Sequence, residues 1–252
     1  MTQPVVVVTN DDGIAAGGLA VAAQAVRAHP GLADARVIVV APAANMSGTS
    51  AAIGPGDLDV AFVREEDVGG VEAFVMEAPP AVAVIAAYEG HFGGPLELVV
   101  SGINAGVNIG WGVLHSGTVG AALCSQNLGV SALALSCPPD ASPSLLVRTA
   151  ELGLDLVDDL RVRTGRHAIA ANVNAAREPV DELRTATLAR AVGVAASAVG
   201  TGPTAAVPIR ANTSRTDEPD SDAALLAAGY GTVSFLRGLE TMTSPPDAEL
   251  HA

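Results

Sequence analysis

Five short stretches of this chain are dominated by β-branched and aliphatic residues with little polar alternation: residues 5–8, 36–41, 96–100, 132–136 and 168–173. Runs of that kind suit strands covered on both faces, as in the middle of a parallel sheet. Between them the period lengthens. Residues 17–28 place Leu19, Ala22, Ala23 and Val26 on one helical face, and Pro79-Pro80 opens a helix through residue 87. An alanine-rich helix is predicted over residues 118–128, and a long amphipathic one over 144–160. Strand and helix therefore alternate, which predicts an α/β fold with a doubly wound, mostly parallel sheet. Residues 71–76 add a strand, whereas residues 43–61 are rich in Gly, Ser and Ala and read as a long loop leading into weak strands. Beyond residue 168 the pattern weakens to a strand at 192–199, a polar run at 212–222 and a late edge strand at 231–236. With no repeat or linker, the expectation is one domain, its core at about residues 1–175 and an irregular C-terminal β/helical extension at about 176–252.

Composition narrows the partners. The chain has 252 residues and is 49% hydrophobic but only 3% aromatic, so its core is expected to be built from Ala, Val, Leu and Ile. The formal net charge is −14, and the 13 basic residues are all arginine. Such a surface repels a nucleic-acid polymer or an anionic membrane, while a small anionic substrate is still accommodated if a metal reverses the local sign. Cys124 and Cys137 fall in no metal-binding spacing and are expected to be buried free thiols. No basic leader and no bilayer-length apolar run is present, so a soluble cytoplasmic protein is expected.

The chemistry begins where the first strand stops. VVVVTNDDG passes from four valines to Asn10, Asp11 and Asp12, with Gly13 free to turn the chain sharply. Two readings compete for this stretch taken alone: an ordinary polar turn, or two adjacent carboxylates whose repulsion a hard divalent cation relieves. Two further polar clusters follow the next apolar strands, Asn45-Met-Ser47-Gly48-Thr49-Ser50 and Ser101-Gly-Ile-Asn104. Right-handed crossovers bring such strand ends to one side of a sheet. Asp11, Asp12, the Ser47 hydroxyl and the Asn104 amide oxygen would then form an all-oxygen site for Mg²⁺ or Mn²⁺. His115-Ser116-Gly117-Thr118 opens the helix that follows, and free N–H groups there make an anion site suited to phosphate. Ser116 or Thr118 also reads simply as an N-cap.

These segments resemble a known family. VTNDDGI, the NMSGTS loop, VVSGINAGVNIG and LHSGTVGAAL are similar to the SurE survival-protein family of metal-dependent nucleoside 5′-monophosphate phosphatases, with weaker echoes in Asn172-Val-Asn174 and in SDAALLAAGYGTVSFL from Ser221. The resemblance implies a Rossmann-like domain with a C-terminal arm used in assembly as a homodimer or homotetramer. It also implies metal binding by Asp11, Asp12, Ser47 and Asn104, and phosphate binding by Asn108 and the Ser116-Gly117-Thr118 turn. Asp11, Asp12, Asn108 and Ser116 are thus the expected catalytic set. Asn10, His115 and Trp111 join Asn108, Ser116, Gly117 and Thr118 as expected substrate contacts, Trp111 as the sole indole able to stack on a base. The family's usual Thr-Pro-Ala-Asp-Cys helix start is replaced by Ala78-Pro-Pro-Ala-Val82. Trp111-Gly112 stands where an acid is usual, and His115 where tyrosine is common.

Rival motifs are weaker. Asp57-Leu-Asp59-Val60 imitates an aspartyl-nucleophile phosphatase but follows Gly54-Pro-Gly rather than an apolar strand. Gly48-Thr-Ser50 lacks the second glycine of a nucleophile elbow, and there is neither a G-x-G-x-x-G after a strand nor a P-loop lysine. The function expected is hydrolysis of nucleoside 5′-monophosphates. The alternatives are another small phosphomonoester, such as a sugar phosphate or a biosynthetic intermediate, and a non-catalytic nucleotide-binding protein.

Overall fold

Residues 2–55, 59–190, 193–196, 209–212 and 218–239 are described by a computed structural model of the chain. Strand β1 (Val5–Thr9) is completely buried, and β2 (Arg36–Pro42) and β5 (Leu96–Ala105) pair with it in parallel on either side. Strand β4 (Val71–Met76) continues the parallel sheet beyond β2, and β6 (Ala132–Cys137) and β7 (Ala170–Asn174) continue it beyond β5. The six parallel strands thus run β4-β2-β1-β5-β6-β7, third-second-first-fourth-fifth-sixth in chain order. That is the Rossmann-like order, whose direction of winding reverses between the first and fourth strands. Here that point lies between β1 and β5.

Helices cover both faces, as the apolar strand runs require. Helix α1 (Gly17–Ala28) buries Leu19, Ala22, Ala23 and Val26, the face read from the sequence. It shares one layer with α4 (Pro143–Leu154) and α5 (Val157–Arg161). The opposite layer holds α2 (Pro80–Tyr88) and α3 (Gly117–Asn127). One long helix was expected over residues 144–160; instead the chain breaks at Asp155-Leu156 and restarts. Val157 and Leu160 are fully buried after the break, so the apolar spacing continues although the axis does not. No helix among the described residues is long and apolar enough to cross a membrane.

The sheet's margins depart further from expectation. Strand β3 (Val63–Val68), VREEDV, a weak strand of the kind expected after the 43–61 loop, pairs antiparallel with β4 as an exposed edge. Charge on an edge blocks pairing with another chain. Arg64 and Arg36 both donate to Glu72 of β4. On the other side β11 (Gly231–Leu236) is not an edge: it lies antiparallel to β7, and the three-residue β8 (Leu183–Thr185) pairs outside it. Of the strand expected at 192–199 the described part is β9 (Gly193–Ala196), paired with β10 (Ile209–Asn212). Helix α6 (Asp222–Ala227) leads into β11. Of the rival aspartyl motif, Asp57 and Leu58 lie outside the described residues.

A row of small and polar residues runs in register across the sheet. Thr9 pairs with Ser101, Ser101 with Ala134, Ala134 with Asn172 and Asn172 with Ser234. Strand alternation turns this row toward the α3 layer, because Val8, Val100, Val173 and Val233 pack into the other core. Replacing Val233 with Ala removes side-chain volume from the core that packs against β7. The expected loss is about 2 kcal/mol, measured as a shift in urea midpoint, against nearly none for the exposed Val162→Ala.

Candidate active site

At the end of β1 the chain turns through Asn10-Asp11-Asp12-Gly13. Asn10 is fully buried and clasps Gly13, its Nδ2 donating to the Gly13 carbonyl at 3.0 Å while its Oδ1 accepts from the Gly13 N–H at 3.3 Å. Asn10 was expected to touch substrate. Both its amide atoms instead close the turn, and Gly13 adopts the left-handed φ of +101° expected of a glycine there.

The turn sends its two carboxylates in different directions. Asp11, only 3% exposed, points at the first turn of α3. Its Oδ2 accepts from the Gly117 N–H at 3.1 Å and its Oδ1 from the Thr118 hydroxyl at 2.5 Å. The start of α3 is therefore an anion site, as read from the sequence, but the anion held by Gly117 and Thr118 is Asp11 itself. Thr118 is fully buried and gives its only hydroxyl proton to Asp11, so it positions the carboxylate rather than donating to a phosphate. Only glycine fits at 117. A Cβ there would come within 2.7 Å of both Asp11 Cβ and Oδ2. Ser116 is the N-cap, its Oγ accepting from Val119 N–H, which leaves its own proton to donate.

Asp12 is half-buried and faces the other way. Its Oδ2 accepts from the Ala105 N–H at 3.0 Å and its Oδ1 from Asn45 Nδ2 at 3.2 Å. Asn45 also accepts from the Ser47 N–H, and the Met46 N–H donates to the Asp11 carbonyl at 2.6 Å, so the 45–50 loop is tied down on the turn. Ser47 is exposed in that loop, and among the described residues no side-chain hydrogen bond joins it to Asp11, Asp12 or Asn104. Asn104, where β5 passes the end of β1, donates its Nδ2 to the Gly106 carbonyl at 2.6 Å, which leaves its amide oxygen as the acceptor. A cavity of about 350 Å³ borders Asp12 and Asn45, walled on its far side by Cys137, Pro138 and Leu146. A more open groove of about 830 Å³ between α4 and residues 178–181 includes neither carboxylate.

Paired acids, an all-oxygen neighbourhood and a helix start thus meet at the switch point of a Rossmann-like sheet. Residues 6–198 match the sequence model of the family described as Survival protein SurE. The chain belongs to the SurE family. It is 33% identical over 193 residues to a 5′-nucleotidase SurE of Mannheimia succiniciproducens, an alignment covering 77% of this chain and 73% of the relative. It is 42% identical over 131 residues to a 5′-nucleotidase SurE of Methanopyrus kandleri, where the alignment covers 52% of this chain and 48% of the relative, about half its length. In fold it is similar to the crystal structure of the SurE protein from Aquifex aeolicus, with a TM-score of 0.72, 23% identity and 93% of each chain covered.

The loop between β5 and α3 holds the other expected contacts of this SurE-family chain. Asn108 donates one Nδ2 proton to Ser136 Oγ at 2.8 Å and keeps a second. Its backbone is gripped by two asparagines of β7: Asn172 and Asn174 both donate to its carbonyl, at 2.9 and 3.0 Å, and Asn174 Oδ1 accepts its N–H at 2.7 Å. Trp111 and His115 lie on the 3₁₀ turn Gly110–His115, both exposed, Trp111 at 61%. Sequence reasoning missed Asn45, Ser136 and Asp222 as supports. Asp222 is fully buried, and its Oδ2 accepts from the Gly110 N–H at 2.7 Å. The NVN and SDAALL segments were visible signals, but nothing local says which loop they hold.

Electrostatics separate the two acids' surroundings. Burial raises the Asp11 pKa above the ordinary carboxylate range; the Thr118 hydrogen bond opposes this and the Asp12 charge reinforces it. Burial, and then the same Asp12 charge, pushes the free thiol Cys137 up to about 11, which leaves it unreactive at neutral pH. Cys124, expected to be buried, is only partly covered. A divalent cation fits the chemistry of this donor set: two carboxylates, one of them desolvated, with the Asn104 amide oxygen free as an acceptor near the end of β5. Because its folded pKa is raised, Asp11 supports folding fully below the ordinary carboxylate pKa and loses that contribution as pH rises through the raised value. Asp11→Asn fits the same hydrogen bonds, its amide donating to Thr118 Oγ1 and accepting from Gly117. In EDTA the variant is expected to melt a few degrees above the parent at pH 7, about 2–4 °C per kcal/mol relieved, and at about the same temperature near pH 3. Melting curves of both proteins at the two pH values check this.

Proposed function

We propose that this chain is a divalent-metal-dependent phosphomonoesterase acting on nucleoside 5′-monophosphates. The observation that carries the reading is the pair Asp11 and Asp12 at the switch point, one desolvated against the start of α3 and the other open to a cavity of small-molecule size. The names of the relatives, 5′-nucleotidase SurE, support the reaction class.

Asp11 and Asp12 would hold the ion, with the Asn104 amide oxygen and the Ser47 hydroxyl as neutral donors from the neighbouring loops. A bound Mg²⁺ or Mn²⁺ supplies positive charge against the phosphoryl oxygens and acidifies an attacking water. Gly117 and Thr118 fix Asp11, and Asn45 with the Ala105 N–H fixes Asp12, so neither acid has to reorganise during the reaction. The Ser116 hydroxyl and the second Asn108 amide proton donate to the phosphoryl oxygens. His115, exposed on the turn between Asn108 and Ser116, contacts the leaving group rather than the phosphoryl centre. Assembly as a homodimer or homotetramer belongs to the same proposal.

Purified protein is expected to hydrolyse p-nitrophenyl phosphate and nucleoside monophosphates with Mn²⁺ or Mg²⁺ and to lose that activity in EDTA. Asp11→Asn nearly abolishes turnover, whereas His115→Gln weakens it far less. Equal rates with and without chelator, or the reverse order of severity, would sink the assignment.

Two surfaces are open to the leaving group: the exposed Trp111 beside the phosphate turn, and the cavity beyond Asp12. Base stacking on an aromatic ring contributes about 1–3 kcal/mol. Trp111→Ala is therefore expected to raise KM for nucleotides about tenfold or more while sparing p-nitrophenyl phosphate. Steady-state kinetics with both substrates decide it, and an equal response would move the base to the cavity.

A further inference from the structure

The loop at residues 106–116 carries Asn108, Trp111 and Ser116, and it is held by segments remote in sequence. One grip is the pair Asn172 and Asn174 on the Asn108 backbone. The second is Asp222, at the first turn of α6. Its carboxylate is fully buried and accepts three backbone N–H groups from three different segments: Gly110 at 2.7 Å on Oδ2, Ala189 at 3.0 Å on Oδ1, and Ala223 of its own helix at 2.8 Å on Oδ1. The Asp222 N–H donates in turn to the Thr187 carbonyl, and the Trp111 N–H donates to the Ala189 carbonyl at 3.2 Å. No ion pair reaches Asp222 among the described residues, so backbone donors and the helix start carry its charge. An acid serving its own helix needs only the bond to Ala223. The second oxygen reaches 112 residues back along the chain.

We propose that Asp222 is a positioning residue for the phosphate-binding loop: through Gly110, and through Ala189 behind Trp111, it sets where Asn108 and Ser116 stand. This rests on the phosphomonoesterase reading for its kinetic consequence but not for its structural one. Loop placement is then not a local property of the sequence between β5 and α3. A segment beyond the catalytic half of the sheet supplies it, through a carboxylate that touches no substrate.

Asp222→Asn tests this selectively. An amide oxygen in the Oδ1 position keeps Ala189 and Ala223, but the amide NH₂ then opposes the Gly110 N–H, donor against donor. Hydrogen exchange followed by mass spectrometry is expected to quicken about tenfold or more in the 106–116 peptide and to stay unchanged in peptides from β1 and α1. KM for p-nitrophenyl phosphate and the inhibition constant of inorganic phosphate should rise together by about tenfold, with a smaller change in kcat. A role confined to stability would lower Tm and leave both constants unmoved below the melting range. Should the variant not fold, the unmodified protein decides: in rising sub-denaturing urea the 106–116 and 218–227 peptides should lose protection together. Unchanged exchange and phosphate inhibition in Asp222→Asn, or independent opening of the two peptides, overturns the proposal. A parent protein without phosphatase activity would overturn the enzymatic reading and leave the exchange result to judge the clamp.

Discussion

A carboxylate taken out of water has to be held by something, and in this chain the Asp11 carboxylate is held by the start of α3. β1 is an interior strand, paired on one side by β2 and on the other by β5, so a side chain just past its end is already beneath the surface. Its charge survives there because Gly117 N–H and the Thr118 hydroxyl converge on its two oxygens. That contact sets the distance between β1 and α3, since any side chain at 117 would collide with the acid. The hydrogen bonds do not fully offset the desolvation, and the raised pKa of Asp11 records the shortfall.

Topology makes the same place accessible. Where the winding order reverses, the helices following β1 and β5 lie on opposite faces of the sheet, and a crevice opens between the loops. Asp11 faces the α3 layer and Asp12 the opposite side, where Asn45 and the Ala105 N–H receive it. The adjacent acids diverge and share no hydrogen-bond partner. A strongly acidic protein can attract a small phosphate only through a local reversal of sign.

The C-terminal third is joined to this centre more closely than its irregular sequence suggests. β11 is an inner strand, inserted between β7 and β8, and its Val233 packs into the same core as Val6 and Val8 of β1. β7 in turn supplies the asparagines that hold Asn108, so strand and loop order are coupled across the sheet. Residues near the chain's polar end thereby become supports of a loop that begins the other half of the site.

The amino-acid sequence by itself determined the alternation of buried strands and helices, because aliphatic runs and helical spacing are local patterns with few other solutions. It also determined that the turn after β1, the 45–50 loop and the end of β5 meet, because parallel strands joined by right-handed crossovers end on one side. It did not disclose the break at Asp155-Leu156, where apolar spacing carries across two helices, nor β8, which is too short to register. Nor could it say what each polar group binds. Asn10 turned inward to Gly13, and Thr118 to Asp11, because hydrogen-bond partners are chosen by distance in the folded state, and a polar side chain carries no mark of which neighbour will reach it. The tertiary structure alone decided that the anion at the start of α3 is the protein's own carboxylate, and that Asp222 lies under Gly110, since both follow from packing between segments more than 100 residues apart.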